Sequence, residues 1–166
     1  GESTGSKLAG GLVGQSTAGN ITNSYATGDV SCTGSVLNIA GGLAGGFGGY
    51  SEKPASITNC YATGDVTGTK FAGGFIGCLF HMQAPGKTSL CVNMENCTSY
   101  SKNVSGTEAV GSFIGGVAVR ATTSVTMSNC KSVEQNGINK IGGTYEGNNI
   151  TKYEGPGKLG KQISIP

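Results

Sequence analysis

Two short blocks alternate along this chain, and their recurrence limits the possible folds more than any single residue does. The first is a pair of glycines followed by apolar residues. It stands at Ala9-Gly10-Gly11-Leu12-Val13-Gly14, Ala40-Gly41-Gly42-Leu43-Ala44-Gly45, Ala72-Gly73-Gly74-Phe75-Ile76-Gly77 and Val110-Gly111-Ser112-Phe113-Ile114-Gly115. A degraded copy follows at Ile141-Gly142-Gly143-Thr144-Tyr145. Counted from the first glycine of each copy, the spacings are 31, 32, 38 and 31 residues. The second block, Ile21-Thr22-Asn23-Ser24-Tyr25-Ala26-Thr27-Gly28-Asp29-Val30, returns over residues 57–66 with Cys60 in place of Ser24 as its one change. It recurs more loosely at Met94-Glu95-Asn96-Cys97-Thr98-Ser99 and Met127-Ser128-Asn129-Cys130-Lys131-Ser132.

Several repeat architectures use units of this length, so residue content decides between them. Helical repeats need long runs of helix formers at 3.6-residue spacing. This unit instead carries short stretches of β-branched, hydroxyl and amide residues broken by glycine, which are strand and turn signals. Glycine accounts for 31 of 166 residues. Without a period, that richness would mark a low-complexity chain. With the period, each unit reads as two or three short strands joined by tight bends. Such a unit buries its apolar face only by stacking on its neighbours. The expectation is an all-β fold, a β-solenoid (β-helix) of about four to five coils with one coil per 31–38-residue repeat.

Stacked coils place equivalent residues about 4.8 Å apart, the spacing of paired strands. Four columns follow. Leu12, Leu43, Phe75 and Phe113 form one apolar column, and Ile21, Ile57, Met94 and Met127 form another. Ser24, Cys60, Cys97 and Cys130 line up as small residues. Asn23, Asn59, Asn96 and Asn129 form an unbroken asparagine ladder. Strand alternation cannot put Ile21, Ser24 and Ala26 on one face. A bend at Asn23 resolves this, because asparagine tolerates the left-handed conformation and stacked amides hydrogen-bond along the axis. Tyr25 and Tyr61 then fall outside.

The third unit is the longest, and its surplus lies over residues 78–91. The second carries a glycine-rich stretch over 46–56. Insertions in solenoids map to loops on one face, often the binding face. Phe47, Tyr50, Phe80 and His81 are therefore the candidate contact residues, unless the added length is drift without a role. Cys78 and Cys91 bracket the longer insertion. A disulfide between them, closing a loop of this size, would contribute about 3 kcal/mol. Cys60, Cys97 and Cys130 are expected to remain free, since in-register stacking holds their Cβ atoms further apart than a disulfide prefers. Cys32 has no evident partner.

Chemistry is sparse. His81 is the single imidazole, and Glu52 and Glu95 are the nearest carboxylates in sequence, so no triad is legible. Asp29 and Asp65 read as turn residues. No cysteine or histidine spacing suits zinc, and no other metal or cofactor is expected. A net charge of +2 over 12% charged residues gives no footprint for nucleic acid. No apolar run approaches the roughly 20 residues of a membrane span. No basic stretch leading into an apolar run opens the chain, so any secretory leader is expected to be already absent. Six cysteines suit an extracellular setting. Glycosylation sequons begin at Asn20, Asn96, Asn103 and Asn149, and the one at Asn96 falls on the ladder.

The blocks Gly-Gly-Leu-Val-Gly and Asn-Ser-Tyr-Ala-Thr-Gly-Asp-Val resemble the GLUG-motif repeats of bacterial secreted and surface proteins. The Gly-Leu-x-Gly core stands at Gly11–Gly14 and Gly42–Gly45, with phenylalanine variants at Gly74–Gly77 and Ser112–Gly115. The resemblance covers about residues 8–147. It implies a non-catalytic, extracellular module of the kind found in adhesin-like proteins and beside peptidase domains of the immunoglobulin A protease type.

Two readings follow. One is a rigid scaffold, adhesion module or filament subunit that stacks end to end. The other is an accessory domain that binds host protein or glycan through loops 46–56 and 78–91. An ice-binding face is a third option, though Glu95 and Ser128 interrupt the Thr22 and Thr58 column. Residues 1–147 form the repeat region. Residues 148–166 leave the pattern and form a tail that either caps the last coil or exchanges its strand-like Ile163-Ser164-Ile165 with a neighbour.

Overall fold

The computed structural model describes residues 2–5, 7–34, 38–81, 86–146 and 163–164. Its described residues are strands, bridges, turns and bends, and every strand pairing is parallel. The first coil holds β1 (Ser3–Gly5), β2 (Leu8–Gly10), β3 (Val13–Thr17), β4 (Asn20–Thr22) and β5 (Tyr25–Ala26). The second holds β6 (Val30–Cys32), β7 (Ile39–Gly41), β8 (Ala44–Gly48), β9 (Ala55–Thr58) and β10 (Tyr61–Ala62). The third holds β11 (Val66–Gly68), β12 (Phe71–Gly73), β13 (Ile76–Leu79), β14 (Ser89–Glu95) and β15 (Thr98–Ser99). The fourth holds β16 (Val104–Ser105), β17 (Ala109–Val119), β18 (Thr122–Ser128) and β19 (Lys131–Ser132). A partial fifth coil adds β20 (Asn139–Glu146) and β21 (Ile163–Ser164). The protein is a β-solenoid of about four turns.

Four sheets run along the solenoid. Sheet A is β1-β6-β11-β16, sheet C is β4-β9-β14-β18-β21 and sheet D is β5-β10-β15-β19. Sheet B has two limbs, β2-β7-β12 and β3-β8-β13, joined through the long β17, on which β20 lies. The registers are those of the repeats: Ile21 pairs with Ile57, Ile57 with Met94, and Met94 with Met127.

The paired glycines make the sharp bend between the two limbs. A Cβ on Gly41 would collide with the main chain of Ala44 and Gly77, so no side chain fits at that closure. In the fourth coil Ser112 stands where the second glycine would be, and its hydroxyl meets Ser132 Oγ at 2.7 Å. β17 continues as strand through this point.

The bend splits the interior into three packed clusters rather than one. The largest lies between the second limb and sheets C and D, and includes Leu43, Phe47, Phe75, Ile76, Leu79, Leu90 and Met94. A second, with Ile39, Phe71, Cys78, Phe80, Ala109 and Ala118, packs the two limbs back to back. A third, with Val30, Cys32, Val66 and Val104 over Ala9, Ala40 and Ala72, lies between sheet A and the first limb. Phe75 and Phe113 stack with ring centroids 4.8 Å apart. Leu12, expected in the same apolar column, is 46% exposed because the first coil has no coil beyond it among the described residues.

The asparagine corners have the left-handed backbone their sequence suggests, with φ of 48° at Asn23, 55° at Asn59, 53° at Asn96 and 50° at Asn129. Their amides form a one-way chain. Asn59 Nδ2 donates to Asn23 Oδ1 (3.2 Å), Asn96 Nδ2 to Asn59 Oδ1 (3.1 Å) and Asn129 Nδ2 to Asn96 Oδ1 (2.7 Å). The residue after each asparagine turns back to the carbonyl two positions before it. Ser24 Oγ donates to Thr22 O at 2.7 Å, and the thiols of Cys60, Cys97 and Cys130 do the same at 3.2, 3.3 and 3.5 Å.

Of the tail, only Ile163–Ser164 is described. It lies as β21 on β18, with Val125 paired to Ile163. The remainder of 148–166, the sequon at Asn149 and residues 82–85 lie outside the described residues.

Candidate functional site

The two insertions meet at one corner, between sheets B and C. The segment 46–56 is a loop only over residues 49–54. Residues 46–48 belong to β8, a tight hairpin pairs Tyr50 with Lys53, and β9 begins at Ala55. Phe47 is fully buried in the main core, and Phe80 is buried between the limbs. Neither offers a contact surface, which corrects the sequence expectation. The reason lies in the glycines beside them. A Cβ on Gly46 would stand 2.7 Å from Leu8 Cδ2 and 2.8 Å from the Phe80 ring, so this glycine makes room for an aromatic rather than marking a loop.

His81 is 4% exposed, not solvated. Its Nε2–H donates to Ser89 O at 2.8 Å, and its ring meets Tyr50 edge-on at 5.7 Å. Arg120 Nη2 donates to His81 O at 3.3 Å. Among the described residues, His81 Nδ1 and Arg120 Nε are buried without hydrogen-bond partners. Burial pulls the Arg120 guanidinium below its ordinary pKa. Tyr50 is half-buried, with Lys87 Nζ 5.0 Å from its ring centroid. Lys87 also pairs with Glu52 at 3.1 Å. The Glu52 carboxyl lies below the usual range, held there first by its own main-chain N–H and then by Lys87. Among the described residues no carboxylate bonds to His81, so they bring a buried imidazole to the corner but no nucleophile-and-base pair.

Cys78 and Cys91 are free thiols, and the bridge expected between them is not formed. Cys78 points into the cluster between the limbs. Cys91 alternates with buried Leu90 and Val92 on β14 and so faces the other way. Cys60, Cys97 and Cys130 are free and buried. Burial raises the thiol pKa of Cys32, Cys60 and Cys78. At Cys97 the hydrogen bond shared with Cys130 raises it first, and burial adds to this. The same bond pulls Cys130 below its ordinary thiol range. Cys32, Cys60, Cys78 and Cys97 stay protonated at neutral pH and act as small apolar fillers. Among the described residues, no group of three or more His, Cys, Asp or Glu side chains could hold a metal ion. Among the described residues, no helix is long and apolar enough to cross a membrane.

Outside this corner, and besides Leu12 on the first coil, the exposed large apolar side chains of the described residues form one strip. Tyr25 and Tyr61 stack at 5.1 Å and 6°, and Tyr100 stands edge-on to Tyr61 at 6.1 Å. A model of the GLUG motif matches residues 5–31 and 40–67. These two stretches match the GLUG motif. Each runs through the sharp glycine bend and the asparagine corner and ends on sheet A, so one matched stretch is close to one coil of the solenoid. The third and fourth coils keep that geometry with drifted sequence. No curated protein and no solved structure matches the chain.

One contact was not anticipated. Main-chain carbonyls of Asp29, Asp65 and Asn103 accept from Ser3, Val30 and Val66 N–H, each at 2.9 Å. On the next rung the acceptor is a side chain. Val104 N–H donates to Gln135 Oε1 at 3.0 Å, while Gln135 Nε2 donates to Ser101 O at 3.1 Å. Sheet A has no fifth strand among the described residues, and the Gln135 amide stands in for its peptide group. The signal was available: Gln135 follows Lys131 by the same four residues that separate Asp29 from Tyr25 and Asp65 from Tyr61.

Proposed function

We propose that this chain is a rigid, non-catalytic module of an extracellular or cell-surface protein, of adhesive or filament-forming type. The observation that carries the reading is where the polar side chains go. Asn23, Asn59, Asn96 and Asn129 link one coil to the next, Asp29 Oδ1 accepts from Asp65 N–H, and Asn103 Nδ2 donates to Asp65 Oδ1. Side chains that elsewhere do chemistry are spent here on holding a spacing. The GLUG repeats support the same reading, since a stacked repeat builds length and stiffness.

End-to-end stacking belongs to this proposal. The asparagine chain has a direction: among the described residues no hydrogen bond takes up Asn23 Nδ2 at one end or Asn129 Oδ1 at the other, so a second copy would find a donor facing an acceptor. Electron microscopy of the purified chain is the test. Fibres whose axial repeat is near the height of one subunit support stacking. Dispersed particles at high protein concentration reject it and leave a spacer. Cell fractionation with protease accessibility of the native protein tests the surface location. The alternative, an accessory ligand-binding domain, retains Tyr50 as the contact residue that is not buried, because Phe47, Phe80 and His81 are buried.

A further inference from the structure

The turn that holds the Gln135 cap has a chemistry of its own. Gln135 and Ile138 form a two-residue hairpin closed by Ile138 N–H donating to Gln135 O at 3.1 Å. Its central residues are Asn136 and Gly137, the single Asn-Gly pair in the sequence. Both are exposed. Gly137 has φ 74°, which suits the third position of a type II turn. Nothing lies within 4 Å of the place where a Cβ would project from it. Among the described residues, no hydrogen bond engages its N–H. That nitrogen is therefore uncommitted, unhindered and one residue from a side-chain amide. The other asparagines precede Ile, Ser, Cys, Met, Val, Lys or Asn, whose side chains hinder the same approach, and four of them are fixed in the ladder.

We propose that Asn136–Gly137 is a site of spontaneous chain modification whose products unseat the Gln135 cap on sheet A. The Gly137 nitrogen attacks Asn136 Cγ. A new N–Cγ bond forms, the Cγ–Nδ2 bond breaks, and Nδ2 leaves as ammonia, taking up the proton that the Gly137 nitrogen gives up. Water then opens the cyclic imide at one of its two carbonyls. One opening gives aspartate, the other isoaspartate, and neither needs an oxidant or an enzyme. Both products add a negative charge two residues from Glu134. Isoaspartate also inserts an extra carbon into the main chain of a two-residue turn, which the bond from Ile138 N–H to Gln135 O does not tolerate. Gln135 is the first residue of that turn, so its hold on Val104 N–H and Ser101 O goes with it.

The test is to age the purified chain in mildly alkaline buffer and map peptides by mass spectrometry, with isoaspartate detected by methyltransferase labelling. Asn136 should convert several-fold faster than any other described asparagine, and amide exchange at Val104 should rise several-fold in the aged protein. Asn136→Gln, which must close a larger and less favoured imide, should keep both signals low. Conversion at Asn136 no faster than at Asn20 or Asn103 overturns the site. Conversion with unchanged Val104 exchange overturns the link to the cap.

Discussion

At the corner of each coil one asparagine does two jobs, and substitution separates them. Asn96→Ala loses both the left-handed tolerance and two ladder bonds, and should cost roughly 1–3 kcal/mol in urea unfolding. Asn96→Gly keeps the backbone and loses only the exposed bonds, so its cost should be clearly smaller. Equal costs would mean that the backbone conformation is not what selects asparagine. Ala18 makes the complementary case, since it holds φ 59° with no side chain suited to it. Ala18→Gly should raise stability by about 0.5–1 kcal/mol, and a loss on substitution would show that the strain is absent. Thiol titration extends the scale: Cys91, half-buried on β14, should react in the native protein well before the five buried cysteines. The ladder was legible in the sequence because parity forced a bend and asparagine is a residue that permits it. His81 was misread because a polar residue in a long insertion says nothing about the partner that buries it, here Ser89 O from the far side of the insertion.

Strand positions followed from the repeat, but which strand faces which core did not. A glycine-rich stretch reads as loop, and β8 reads that way. The stretch is strand because Phe80 from the next coil passes over Gly46, a contact between units that no single unit displays. The same holds for Cys78 and Cys91. They bracket the insertion in sequence, while alternation along β13 and β14 points them to different sides. Phe75 illustrates what an element gains from its neighbours, for it is fully buried and stacked on Phe113. Phe75→Ala should cost about 3–5 kcal/mol. Leu12→Ala, the same column in the first coil, should cost far less because its side chain already faces water. Comparable losses at both positions would mean that the first coil is covered in solution.

Across the whole molecule, stability comes from coil-to-coil stacking rather than charge. Two ion pairs join described residues, Lys70–Glu108 at 3.8 Å and Lys87–Glu52 at 3.1 Å, both with partly or fully accessible side chains. Such pairs contribute about 0–1 kcal/mol each and are screened by salt. The unfolding midpoint should therefore change little between low and moderate salt, and a steep dependence would reveal electrostatic support not accounted for by these contacts. The central claim is that the repeats lie parallel and in register. Amide-to-amide contacts in nuclear magnetic resonance spectra test it most directly. Contacts should link Val30 to Val66 and Val66 to Val104, and Tyr25 to Tyr61, Tyr61 to Thr98 and Thr98 to Lys131. Antiparallel patterns, or the same contacts displaced by one residue, would contradict it.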